Sequence, residues 1–162
     1  MIVDIFVSVG SQLPFDRLCR IIDRWSLNNP QFTVLFQTGV SCYTFTSESV
    51  IAKDFLTQSE YLSYLQSCTL FISHAGIGSI VSALDAEKPV IIVPRRASLN
   101  EHRNDHQFAT AKRFLNFKGV YVAFDELQLL ELLAEPNELK NSELVFSAER
   151  EKLIRGLKSL IS

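Results

Sequence analysis

Three clusters of residues have side chains and spacings suited to chemistry. The first is Ser73-His74-Ala75-Gly76-Ile77-Gly78-Ser79, which lies between an apolar run and a stretch of helical periodicity. Two glycines let backbone N–H groups come close to an anion, and the amino terminus of a following helix adds partial positive charge, so the turn suits a diphosphate. Ser79 falls where an N-cap or first-turn hydroxyl would sit, and His74, at a strand end, can turn its ring toward a phosphate oxygen. The second cluster is Pro94-Arg95-Arg96 followed by Asn100 to Gln107, in which Asp105, His106 and Gln107 offer donors and acceptors that match sugar hydroxyls. The third is Val9-Gly10-Ser11-Gln12, the turn after the first apolar run. All three histidines fall between residues 74 and 106. His102 and His106, four residues apart, would share a helical face, so zinc held with His74 or Asp105 is a competing reading. Taken alone, each glycine turn is equally compatible with a plain turn former.

The elements that must position these residues alternate strand and helix. Ile2 to Val9 is β-branched and aromatic and ends at Gly10-Ser11. Phe15, Leu18, Cys19, Ile22 and Trp25 then recur at helical spacing until Asn28-Asn29-Pro30. Phe32 to Phe36 is the next apolar run, which completes a βαβ unit, and Val50-Ile51-Ala52 reads as a short strand in a weakly patterned stretch. A helix over about 59–66, strands at Thr69 to Ile72 and Val90 to Val93, and a helix over about 79–86 follow. A helix over about 104–116, a strand at Val120 to Ala123 and helices over about 125–134 and 148–161 complete the chain. This alternation predicts a Rossmann-like, doubly wound parallel α/β sheet with its ligand site beyond the carboxyl ends of the strands.

Composition narrows the partners. The net charge is −2 and there is no long Lys/Arg cluster, which argues against nucleic acid. The longest apolar runs fall far short of the ~20 residues that cross a bilayer. Met1-Ile2-Val3-Asp4-Ile5 lacks the pattern of a secretory leader, and the three scattered cysteines match neither a disulfide framework nor a metal pair, so a cytoplasmic site with reduced thiols is expected. The 162 residues suit one domain, 1–162, with a carboxy-terminal helix over about 144–162. The Leu144, Val145, Phe146, Leu153, Ile154, Leu157, Leu160 and Ile161 side chains of that segment would cover either their own sheet or a partner.

Read in order, four segments resemble the carboxy-terminal, donor-binding domain of family 28 glycosyltransferases. They are Phe6 to Leu18, the Ser73–Ser79 turn, Lys88-Pro89-Val90-Ile91-Ile92-Val93-Pro94-Arg95, and Asn104-Asp105-His106-Gln107. The likeness runs from residue 1 to about 135. It is greatest to the stand-alone form of the domain: the small catalytic subunit of the two-part N-acetylglucosaminyltransferase of lipid-linked oligosaccharide synthesis, and its bacterial exopolysaccharide and capsule counterparts.

The resemblance implies one half of the B-type glycosyltransferase fold and a hexosyltransferase that uses a UDP-sugar as co-substrate, with no metal or other cofactor. On that basis Gly10, Ser11 and Gln12 would approach the donor diphosphate, and Gly76, Ile77, Gly78 and Ser79 would cradle it with His74, the catalytic candidate. Arg95, Asp105, His106 and Gln107 would address the donor's sugar or balance charge nearby. Ser82 stands where many members place a ribose-binding Glu, which loosens the expectation for nucleotide preference. The implied reaction is inverting transfer to a lipid-diphosphate-linked sugar on the inner face of the membrane. A membrane-anchored partner subunit would supply the acceptor and the base. A non-catalytic UDP-sugar-binding scaffold or regulatory subunit is the alternative; nucleotide-sugar 2-epimerases share the fold but use two domains in one chain.

Overall fold

The computed structural model describes residues 1–141 and 148–160. In chain order it contains β1 (Ile5–Ser8), α1 (Asp16–Asn28), β2 (Val34–Gln37), β3 (Val50–Lys53), α2 (Gln58–Ser67), β4 (Leu70–His74) and α3 (Ile77–Asp85). These are followed by β5 (Val90–Val93), α4 (His106–Arg113), β6 (Val120–Val122), α5 (Glu126–Leu132) and α6 (Ala148–Ser159), with short 3-10 turns at Ala97–Leu99 and Pro136–Glu138. The six strands form one sheet in the order β3-β2-β1-β4-β5-β6, and every pairing is parallel. Ile5 is in register with Val34 on one side and Leu70 on the other.

The sheet is covered on both faces, which explains why β1, β2 and β5 are buried along their whole length and read as continuous apolar runs rather than alternating ones. Phe6, Leu35, Phe71 and Ile92 point to the face covered by α2, α3 and α6, where they meet Leu65, Ile80, Leu84 and Ile154. Ile5, Val7, Phe36 and Ile72 point to the other face, against Leu18, Ile22 and Trp25 of α1 and Leu129 of α5. Trp25 also donates its indole N–H to the Leu133 carbonyl at 3.1 Å, tying α1 to α5.

Several boundaries differ from the sequence expectation for identifiable reasons. β1 begins at Ile5 rather than Ile2 because the Asp4 carboxylate takes the Thr33 N–H (2.7 Å) and closes that end of the ladder, leaving Ile2 82% exposed. The weakly patterned stretch before β3 is organised by Asp23, whose buried carboxylate accepts from Tyr43, Thr46 and Ser47. Burial works to raise its pKa, but those hydrogen bonds hold it below the ordinary value. α2 starts at a capping box in which the Thr57 hydroxyl accepts from Glu60 N–H and the Glu60 carboxylate accepts from Thr57 N–H. α4 covers only His106–Arg113, so His102 lies in the preceding loop and shares no helical face with His106.

α6 packs on this chain's own core: Ile154 and Leu157 are buried, and Lys158 pairs with Asp85 of α3 at 2.9 Å. Leu144, Val145, Phe146 and Ile161 of the expected carboxy-terminal helix lie outside the described residues. No helix among the described residues is long and apolar enough to cross a membrane.

Candidate functional site

From β1 the chain steps outward to β2 and β3, then returns to place β4 on the opposite side of β1. That reversal opens a crevice at the carboxyl ends of β1 and β4, the place where doubly wound sheets bind ligands. A cleft of about 300 Å3 lies there, walled by Gly10, Ser11, Gln12, His74, His102 and Gln107, with Val9, Leu13 and Arg95 beneath.

His74 occupies the gap between two glycines. Gly10 has φ +79°, a conformation open to glycine, and a Cβ there would lie 3.2 Å from His74 Cε1. At Gly76, φ is an ordinary −86°, so the requirement is for space: a Cβ would meet His74 Cδ2 at 3.0 Å and Nε2 closer still. The glycines therefore accommodate a histidine ring, where the sequence reading offered an anion or a plain turn. Gly78, by contrast, faces open space. Burial, then the nearby Arg95 charge, pulls the His74 pKa down to about 4; His102 acts in the same direction, while a hydrogen bond with the Ser8 backbone opposes them. The ring is neutral at physiological pH and acts as a neutral donor or acceptor. Ser73 Oγ sits 3.2 Å from its Nδ1.

Arg95 lines the cleft but is bound to the chain's own backbone. Its side chain is 3% exposed and turned into the protein, where the guanidinium donates to the carbonyls of Val9, Leu13 (2.9 Å), Pro14 (2.7 Å) and Glu101 (3.3 Å). It lies over the Phe15 ring at 4.6 Å. Burial lowers its pKa to about 10, with Glu101 opposing, so it remains a cation at neutral pH. Gln107 is similarly engaged: its Oε1 accepts from Ala75 N–H (3.2 Å) and Arg95 N–H (3.1 Å), which leaves only the amide nitrogen to address a ligand.

Sequence reasoning missed Arg17 and Glu101. Arg17 forks onto the Glu101 carboxylate with two bonds of 2.9 Å and also donates to the Pro94 carbonyl, fastening α1 to the loop after β5. Glu101 is 6% exposed. The available signal was Glu101 among Arg95, Arg96 and Arg103 in one loop, where an ion pair is the simplest way to bury either charge.

The cleft thus brings together Gly10, Ser11, Gln12, His74, Arg95 and Gln107 of the sequence-derived set, and adds His102. Gly76 is the N-cap position of α3 and carries no side-chain cap, so the helix amino terminus stands directly behind His74. Ser79 is the third helical residue, the first-turn position of the two expected rather than the N-cap, and its hydroxyl lies against the Tyr61 phenol. Ser82 donates to the Gly78 carbonyl (2.9 Å) one turn further along, away from the cleft wall. Asp105 accepts from Ala97 N–H (3.0 Å), and His106 is an exposed first residue of α4; neither lines the cleft. No group of three or more His, Cys, Asp or Glu residues is arranged to hold a metal among the described residues.

A parallel six-stranded sheet with its cleft at the strand-order reversal is the Rossmann-like architecture of B-type glycosyltransferase domains, and solved glycosyltransferases share it. Residues 4–159 match the glycosyltransferase family 28 C-terminal domain, and the chain belongs to that family. It is 33% identical over 86 residues to a UDP-N-acetylglucosamine--N-acetylmuramyl-(pentapeptide) pyrophosphoryl-undecaprenol N-acetylglucosamine transferase of Prochlorococcus marinus (strain MIT 9215), covering 51% of this chain and 23% of that protein. It is 28% identical over 102 residues to the UDP-N-acetylglucosamine transferase subunit ALG13 of Candida albicans, covering 63% of this chain and 32% of that protein. The chain therefore spans only a minor part of the length of these curated relatives. An ALG13 structure determined by NMR superposes with TM-score 0.65 at 22% identity, covering 99% of this chain and 98% of that one.

Proposed function

We propose that this chain is the donor-binding catalytic subunit of an inverting hexosyltransferase. It takes the diphosphate of a UDP-sugar into the cleft and passes the hexose to a lipid-diphosphate-linked sugar. A separate membrane-anchored subunit presents that acceptor at the inner face of the membrane, within exopolysaccharide, capsule or oligosaccharide synthesis. The observation that carries the reading is that Gly10 of the β1–α1 loop and Gly76 at the uncapped start of α3 lie against the same neutral His74 ring.

Each part has a physical task. No backbone N–H of Gly10, Ser11, Gln12 or Leu13 donates to an acceptor among the described residues, so these groups are available to an anion. The first N–H groups of α3 add a second set of fixed donors, and preorganised donors of this kind stabilise a leaving diphosphate without a cation. His74 contributes a ring nitrogen as a neutral hydrogen-bonding group; an arriving diphosphate would favour its protonation as the glycosidic bond breaks. The Gln107 amide nitrogen is placed for a donor oxygen. The base for the acceptor hydroxyl comes from the partner, and support for a two-subunit arrangement comes from the relative named as a transferase subunit.

Ligand-observed NMR with a panel of UDP-sugars tests the assignment. Saturable binding to wild type, about tenfold or more weaker in His74→Ala and unaffected by chelator, is expected, because a hydrogen bond to a charged group contributes about 1.5–3 kcal/mol. A folded protein that binds no UDP-sugar, alone or with a membrane partner, removes the proposal.

A further inference from the structure

We infer that Arg95 is the positioning residue of the donor loop: by gripping backbone carbonyls of residues 9–14 it holds that segment in the shape that accepts a nucleoside diphosphate. The inference rests on the donor-binding reading above and gives Arg95 a role distinct from contact with the donor.

The loop from Val9 to Pro14 has little structure of its own. Among the described residues none of the Gly10–Leu13 N–H groups is bonded to the chain, and α1 begins without a side-chain cap. Arg95 supplies what is missing. Three carbonyls from the two ends of the loop, those of Val9, Leu13 and Pro14, converge on one guanidinium. Because a peptide group is planar and trans, capture of the Val9 carbonyl turns the Gly10 N–H away from the guanidinium. The same logic applies at Pro14, whose carbonyl bonds Arg95 while the following N–H, that of Phe15, is directed to Ser41 Oγ at 2.8 Å.

The guanidinium is itself located from several sides. Gln107 Oε1 holds the Arg95 backbone N–H and the Ala75 N–H together, so Arg95 is fixed relative to the residue that follows His74. The Phe15 ring lies under its plane, and the Glu101 carbonyl takes a fourth bond. Glu101 places its carboxylate on Arg17 instead, which leaves the Arg95 side chain to the carbonyls. Only a planar fork with several rigid donors can serve this many carbonyls at once; a lysine ammonium has three donors on one atom.

Arg95→Lys, with UDP as the probe, provides the test. In the unliganded variant, the 15N order parameters of Gly10 to Leu13 are expected to fall from about 0.85 to below about 0.6, while α1 and β4 keep theirs. The UDP dissociation constant should rise about tenfold or more through loss of preorganisation. In Arg95→Ala, millimolar guanidinium ion should recover part of both quantities, an outcome that a general packing defect would not produce. A rigid loop and a UDP affinity within about twofold of wild type in Arg95→Lys would overturn the inference. If the Arg95 variants do not fold, Phe15→Leu, which removes the ring beneath the guanidinium, is read by the same order parameters, and an unchanged loop there overturns it as well. Should wild type itself bind no UDP, the donor reading falls, while the loop order parameters still decide whether Arg95 positions the loop.

Discussion

Replacing Gly76 with alanine separates two explanations of a glycine at the start of α3. The backbone there is in the extended region, φ −86° and ψ 136°, which alanine adopts freely, so conformational strain contributes nothing. Exchanging glycine for alanine at an N-cap costs about 0.5–1 kcal/mol in any background. The new methyl also falls inside van der Waals contact of the His74 ring, which is confined on its other side by Gly10. Overpacking of this kind costs about 1–3 kcal/mol. Gly76→Ala should therefore lose about 1.5–4 kcal/mol in all, whereas the same change made in a His74→Ala background should lose only the capping contribution. Urea denaturation of the four proteins in this cycle gives the coupling directly, with about 1–3 kcal/mol expected. If Gly76→Ala costs the same with and without the His74 ring, the glycine is not there to accommodate the histidine, and the steric argument is wrong.

Acid should weaken the fold through the same ring. The His74 pKa is about 4 in the folded chain against 6.5 ordinarily, so the unfolded chain binds its proton first as pH falls. The stability conferred by the neutral ring is fully present above about pH 6.5 and is lost progressively toward about pH 4. Because the cleft admits water to the ring, the loss should be about 1–2 kcal/mol, below the ~3 kcal/mol that the full gap would give. Across that window wild type should lose more stability than His74→Ala as pH falls, read from their urea midpoints, and parallel curves would count against the assignment. Glu101→Ala strands Arg17; since the Arg17 side chain keeps 16% exposure, the cost should be about 2–3 kcal/mol, less than for a fully buried pair. That corresponds to a melting point lower by about 4–12 °C, and a drop under about 2 °C would show the pair to be dispensable. Trp25→Phe keeps the packing against Phe32 but orphans the Leu133 carbonyl, so a loss of about 1–2 kcal/mol is expected in the same denaturation assay, and a neutral result would mean that water replaces the indole.

The order of strands and helices was legible because the strands are buried on both faces and α1 carries its apolar residues at helical spacing; both patterns are local. The turn after β4 was legible as a strand-to-helix turn for the same reason, since a glycine pair following a buried strand is a local signal. What periodicity does not reveal is which polar side chains turn inward. Arg95 bonds the Pro14 carbonyl, and Arg17 the Glu101 carboxylate, across 81 and 84 residues of sequence, so both arginines and Glu101 resemble ordinary surface charges when read in place. The same limit hid the early end of β1 at Asp4, whose partner is Thr33, and the organisation of residues 43–47 around Asp23. Asp105, His106 and Gln107 were grouped by the match of their side chains to sugar hydroxyls and by the family resemblance, but a helix start sends successive side chains in different directions, and of the three only Gln107 lines the cleft.

The strand-order reversal that opens the cleft also shapes how the chain responds to a ligand. β1, β2 and β3 form one run of sequential pairings and β4, β5 and β6 another, and within the sheet the two runs meet only along the β1–β4 ladder. A molecule seated in the cleft touches both runs at that seam, so it binds only chains in which the seam is closed. At a concentration a hundredfold above its dissociation constant it would add about 2.7 kcal/mol against opening there. Slowed amide exchange on ligand addition should accordingly be greatest along β1 and β4 and fade toward the outer strands β3 and β6, because fraying at those edges leaves the seam intact.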